Sequence, residues 1–185
     1  MFSAIAHILT AFGLSSASGL NAYIPLLLVA LTARFTDWIK LSPPFDVLTN
    51  EWVIGALVVL LAIEMIVDKI PAADTLNDII QTFIRPAAGA ILFAASTSVI
   101  NLNPVIAVIL GLVLAFSVHA VKATARPVVT ASTAGLGNAF VSVGEDILSV
   151  VVSLIAIVVP ILVGLILVLI IFGLLILRSR RRATV

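Results

Sequence analysis

Cysteine is absent from the 185 residues, which excludes disulfides, thiol catalysis and thiolate metal sites. Charge is scarce: 10% of the chain is Asp, Glu, Lys or Arg, where a soluble domain carries about 25%. The 10 basic and 9 acidic side chains nearly cancel, so no bulk field points to a nucleic-acid partner. Histidine occurs only at His7 and His119, too few for a metal-ligand cluster, and neither a His-Glu-x-x-His pair nor a Walker loop is present. The stretch Gly13-Leu14-Ser15-Ser16-Ala17 lacks the second glycine and the preceding strand of a nucleophile elbow, which argues against a serine hydrolase. No cofactor or metal is expected, and a catalytic role is the weaker reading.

What remains is apolar. Hydrophobic residues make up 62% of the chain and the mean hydropathy is +1.31, too little polar surface to cover a globule in water. The composition predicts a single all-α integral membrane domain, a polytopic bundle of transmembrane helices. Met1 to Ala33 has no Lys or Arg and runs apolar for too long to be a signal peptide, so it reads as mature protein. A spanning helix needs about 20 mostly apolar residues. Candidate spans lie near residues 6–33, 52–67, 87–100 and 105–120. The loop Phe35 to Asn50, with Trp38 and the Pro43-Pro44 pair, suits an ordered interfacial connection.

Ile147 to Leu177 carries no charge over 31 residues. One straight helix of that length would measure about 46 Å against a hydrocarbon core of about 30 Å. A turn near Pro160 would divide it into spans near 141–159 and 160–177. Six spans then place both termini on one face with Lys69, Arg85, Lys122, Arg126, Arg178, Arg180, Arg181 and Arg182, leaving Arg34 and Lys40 on the other. By the positive-inside rule that face is cytoplasmic. Five spans with one long, kinked last helix are the alternative, and they give four cations against six. The sections Ala56 to Ile100 and Gly111 to Val159 also read alike: a span ending in charges, a proline-containing loop, another span. Parallel repeats of this kind occur in transporters.

Three features could carry function. Residues Gly13 to Asn21 interrupt the first span with small and hydroxylated side chains, and Pro25 follows. Such a break can expose backbone to an ion or substrate, with Ser18 and Asn21 the candidates, or it can let neighbouring helices approach closely. Glu64 and Asp68 share one helical face beside Lys69, and a carboxylate within a span needs a partner or water. His119, Lys122 and Arg126 fall at i, i+3 and i+7, a basic stripe that Glu64, Asp68 and Asp146 could face. Together these groups make either a polar ion and proton pathway or an interhelical salt-bridge lock. Arg85 and Arg126, each just before a proline, could hold an anion or a lipid headgroup. Pro86 is placed near a helix start and Pro127 at the opening of a loop. The Arg178 to Arg182 run belongs to the positive-inside bias.

The ordered set Ser18-Gly19-Leu20-Asn21-Ala22-Tyr23-Ile24-Pro25, Glu64-x-x-x-Asp68-Lys69-Ile70-Pro71, Arg85-Pro86, His119-Ala120-x-Lys122, Arg126-Pro127 and Glu145-Asp146 resembles a bacterial membrane-protein family, the domain of unknown function numbered four-one-two-six. The resemblance implies a compact polytopic bundle in the bacterial cytoplasmic membrane and supplies no activity. The leading expectation is a transporter or channel for an ion or small charged solute, its cytoplasmic-side pathway lined by Glu64, Asp68, Lys69, His119, Lys122 and Asp146 and gated around Ser18 to Asn21. The alternatives are a scaffold or accessory subunit of a larger membrane complex and, less favoured, an enzyme acting on lipid headgroups. Expected partners are the bilayer, anionic headgroups, and further copies or a larger complex.

Overall fold

The structure is a computed structural model. It describes residues 2–68, 71–133 and 137–182, with side chains for residues 4–68, 77–133, 137–160 and 162. Lys69, a candidate pathway residue, lies outside the described residues. Among the described residues six α-helices follow one another: α1 (Phe2–Ser18), α2 (Tyr23–Phe35), α3 (Glu51–Val67), α4 (Pro71–Thr97), α5 (Pro104–Thr133) and α6 (Gly137–Arg182). Short 3-10 turns at Phe45–Thr49 and Ser98–Ile100 lie in the connections, and no strand occurs among the described residues.

Side-chain pairings fix the directions. Thr10 donates to the carbonyl of Ala156, Ser149 to that of Ala17, and Asn21 reaches Asp146, so α1 runs antiparallel to α6. Ser15 on the carbonyl of Gly89 and Ser18 on that of Arg85 set α1 antiparallel to α4 as well. From the tip at residues 19–22, α2 leads back to Arg34, which pairs with Glu51 at the start of α3. Glu64 late in α3 meets Arg85 in α4, Asp78 early in α4 meets Arg126 late in α5, and Lys122 meets Glu145 early in α6. The helices therefore form three antiparallel hairpins, α1–α2, α3–α4 and α5–α6, all turning at one end, the polar end.

Several boundaries differ from expectation. The first apolar stretch is a hairpin, not one interrupted span. Its turn forms because the amides of Gly19 and Leu20 bond three residues back, to Ser16 and Ala17, and Asn21 then starts a new helix. Gly19 is required there, since a Cβ would lie 2.5 Å from the Ala115 carbonyl and 2.6 Å from Val118 Cβ. The chain consequently begins at the end opposite the polar residues, not beside them. Pro86 and Pro127 lie inside α4 and α5, not at a helix start or a loop. No turn interrupts α6 at Pro160. A single proline removes one backbone bond, which a long helix tolerates, and Val158, Val159, Ile161 and Leu162 offer no turn residue to exploit the break.

Local signals set the other ends. Asn50 caps α3 through the amide of Trp52. Between α4 and α5, Asn101 takes the left-handed conformation (φ 55°), and Asn103 accepts from Val105 while Pro104 opens the helix. The buried face of α5 is Ala107, Gly111, Ala115, His119, Lys122 and Arg126. Its first half is small so that α4 can approach: a Cβ on Gly111 would run into the carbonyl of Gly89. Its second half is basic. Around the outside stand Val58, Ile63, Ile66, Ile109, Val113, Ile147 and Leu154, all exposed, while Ser15, Ser18, Asn21, Glu64 and Arg85 are buried. Polar residues inside and apolar residues outside is the arrangement that lipid demands. The segments Asn77–Ile100, Pro104–Thr133 and Gly137–Pro160 are long and apolar enough to cross a membrane.

Candidate polar site at the hairpin tip

The tip of α1–α2 exposes the backbone ends of two helices. Asn21 Oδ1 accepts from the amides of Tyr23 (3.0 Å) and Ile24 (3.1 Å), capping α2, while its Nδ2 donates to Asp146 Oδ1 at 2.9 Å. At the other helix end, Lys122 Nζ donates to the carbonyl of Leu20 (3.1 Å) and Ser149 to that of Ala17 (3.1 Å). A cation at the carboxyl end of α1 and a carboxylate behind the cap of α2 match the signs of the two helix dipoles. Ser18 lies inside this tip, bonded to Ser15 O at 2.7 Å.

An ion-pair network extends from the tip across α3, α4, α5 and α6. Arg85 Nη2 meets Glu64 Oε1 at 3.0 Å, and the two side chains are 0% and 1% exposed. Arg85 Nη1 lies 3.1 Å from His119 Nδ1. A guanidinium only donates, so Nδ1 accepts, the proton sits on Nε2, and that N–H faces Thr82 Oγ1 at 3.0 Å. Thr82 in turn donates to the carbonyl of Asp78 (2.8 Å). The imidazole is thereby held neutral, with both nitrogens engaged. Lys122 pairs with Glu145 at 2.8 Å. Arg126 reaches Asp78 (3.0 Å), Glu145 (3.2 Å) and Asp68 (3.5 Å). Asp68 also accepts from Asn77 and from Ser142.

The structure thus brings Ser18, Asn21, Glu64, Asp68, His119, Lys122 and Asp146 to one end of the bundle. Their pairing differs from the expected one. Glu64 is held by Arg85, not by the α5 stripe, and Asp146 is held by Asn21. Arg85 and Arg126, the candidate anion or headgroup contacts, are buried and pair with carboxylates. Asp78, Gln81, Thr82 and Glu145 complete the cluster and were not among the candidates. A signal for them existed: Asp78, Gln81, Thr82 and Arg85 fall at i, i+3, i+4 and i+7, one face of α4. No group of three or more His, Asp or Glu among the described residues is placed to hold a metal ion. A cavity of about 440 Å³ lies at the opposite end, against Pro44, Phe45, Ala94, Asn101 and Ala107, away from this network.

No curated protein and no solved structure matches the chain. A family model does, over residues 8–180, nearly the whole length and every residue of the polar site. The chain belongs to the family described as Domain of unknown function (DUF4126).

Proposed function

We propose that this protein is a small transporter or channel that moves an ion or small charged solute through the polar end of its bundle. The observation that carries the reading is the α1–α2 tip. Two helix ends meet there inside the protein, in contact with ionisable groups from α5 and α6. Helix ends buried in a membrane protein are tolerated where they face protein or a water-filled path, and transporters bind their cargo at helix ends. The parallel orientation of hairpins α3–α4 and α5–α6 suits a repeat.

The proposed setting is the bacterial cytoplasmic membrane, with six crossings and anionic lipid around the bundle. Arg34 and Lys40 lie at the end opposite the network, and α6 leads its arginine-rich terminus toward that end. The positive-inside bias favours that end, with both termini, as cytoplasmic, which reverses the sidedness expected for the pathway. Protease cleavage of an N-terminal tag in sealed right-side-out cells would overturn this orientation.

The functional test is flux. Full-length protein in proteoliposomes, under an imposed potential, is expected to pass ions, and Glu64→Gln, which keeps an oxygen to accept from Arg85, is expected to abolish the flux while leaving the helical circular dichroism at room temperature intact. Unchanged flux would remove Glu64 from the mechanism. A second reading, a scaffold in a larger membrane complex, draws support from how many network groups are paired. Absence of flux together with one stoichiometric partner after mild detergent extraction would favour it.

A further inference from the structure

Glu64 is 2% exposed, and Arg85 engages only its Oε1; among the described residues Oε2 has no hydrogen-bond partner. Gln81, one turn before Arg85 on α4, is also 2% exposed, and its Oε1 likewise has no partner among the described residues. Tyr23, at the start of α2, adjoins Gln81 and lies within electrostatic reach of Glu64. Among the described residues Arg85 Nε has no acceptor in reach, and the Tyr23 hydroxyl carries one O–H, which can serve only one of the two open acceptors. Buried polar groups are nearly always satisfied, and an unpaired one in low dielectric is penalised. An ionised carboxylate can only accept, whereas the protonated form supplies one donor.

Charge points the same way. Among the described residues, the carboxylates Glu64, Asp68, Asp78, Glu145 and Asp146 face only Arg85, Lys122 and Arg126 as cations. His119 adds none, because a guanidinium donates to its Nδ1. Among the described residues the cluster is short of positive charge, and Glu64 offers the buried open oxygen at which to place it.

We infer that Glu64 binds a proton on Oε2 and shares it with the Gln81 side-chain carbonyl, so that the cation this site takes is H⁺. Hydronium from the aqueous phase delivers the proton: one of its O–H bonds breaks, one O–H bond forms at Oε2, and water leaves, turning the carboxylate into a carboxylic acid while Oε1 keeps its contact with Arg85. The groups around this proton are Asp68 at the cap of its own helix, Tyr23 on α2, Gln81 and Arg85 on α4, and His119 and Lys122 on α5. A divalent metal is the poorer occupant: it needs about six oxygen ligands, and two open oxygens beside a guanidinium do not provide them. As the identity of what moves, the inference rests on the transport reading; as a binding site, it stands apart from it.

The test is pH-difference infrared spectroscopy of the full-length protein in lipid vesicles, with proton flux followed in the same vesicles by an internal pH dye. A protonated-carboxyl carbonyl band is expected, lost in Glu64→Gln and displaced in frequency in Gln81→Leu, which leaves the Glu64–Arg85 pair intact. Absence of the band, or its survival in Glu64→Gln, overturns the site. A band indifferent to Gln81→Leu overturns the sharing with Gln81. The expected band without any flux sustains the site and defeats the transport reading. Flux of another ion without the band does the reverse.

Discussion

The two ends of this bundle are held by different physics. Toward the end opposite the network, Phe12 and Phe93 meet edge to face at 5.3 Å, and Ala11, Ala94 and Ala107 pack around Phe93, while Gly111 sits against Gly89 between that end and the tip. At the polar end the same helices are joined by buried ion pairs. In lipid, apolar burial gains little, because acyl chains are as apolar as leucine, so the apolar end relies on shape and close backbone approach. The polar end relies on burial: the Arg85 and Glu64 side chains are 0% and 1% exposed. A charge so buried depends on its protein partners, which makes the pairing selective and the loss of one partner costly. The contrast implies that specificity of assembly lives mainly at the polar end.

The largest effect is expected at the Glu64–Arg85 pair. Arg85→Met leaves the buried Glu64 carboxyl without its donor, beside an orphaned His119 nitrogen. Removing one member of a buried pair costs about 3–5 kcal/mol, enough to lower thermal stability in detergent severely. Replacing both partners, Arg85→Met with Glu64→Leu, is expected to restore most of that loss, because no charge remains unpaired. A double variant no more stable than Arg85→Met would mean that the arginine matters through packing, and the contrast between the ends would weaken.

A smaller effect is expected at the apolar end. Gly111→Leu forces α4 and α5 apart where backbone meets side chain, and overpacking of this kind costs about 1–3 kcal/mol. Gly55 is the control, because a Cβ added there would meet nothing within 4 Å: Gly55→Ala should be neutral or slightly stabilising in its helix. Equal melting of Gly111→Leu and Gly55→Ala would show that close approach is not what holds this end.

The membrane class, the helical content and most of the polar cluster were legible in the sequence, because apolar runs and i, i+3, i+7 spacings report local structure directly. The reversal of the chain at residues 19–22 was not. Small residues and an asparagine signal a break, but whether a break continues or turns depends on Lys122, Ser149 and Asp146, more than 100 positions away. Prolines misled in the same way. Pro86, Pro127 and Pro160 read as boundaries, yet each sits within a helix, since one missing amide does not outweigh the remaining helical bonds. The pairing of Glu64 with Arg85 escaped notice for a related reason. Arg85 beside a proline suggested a loop, and a loop arginine is read toward solvent and headgroups, not toward a carboxylate on the preceding helix.

The smallest effect belongs to the pair that most resembles Glu64–Arg85 chemically. Arg34 also meets a glutamate, Glu51, through one guanidinium nitrogen, and it donates to the carbonyl of Thr49 at 2.7 Å. Here the side chains are 31% and 78% exposed, against 0% and 1% in the buried pair. Exposed pairs contribute about 0–1 kcal/mol and weaken with salt, so Arg34→Ala is expected to shift the melting temperature only slightly, and less at high ionic strength. Measured beside Arg85→Met in the same detergent, it separates the ion pair from its burial. If Arg34→Ala destabilised the protein as much as Arg85→Met, burial would not be the source of the difference, and the selectivity assigned to the polar end would belong to charge pairing anywhere in the bundle.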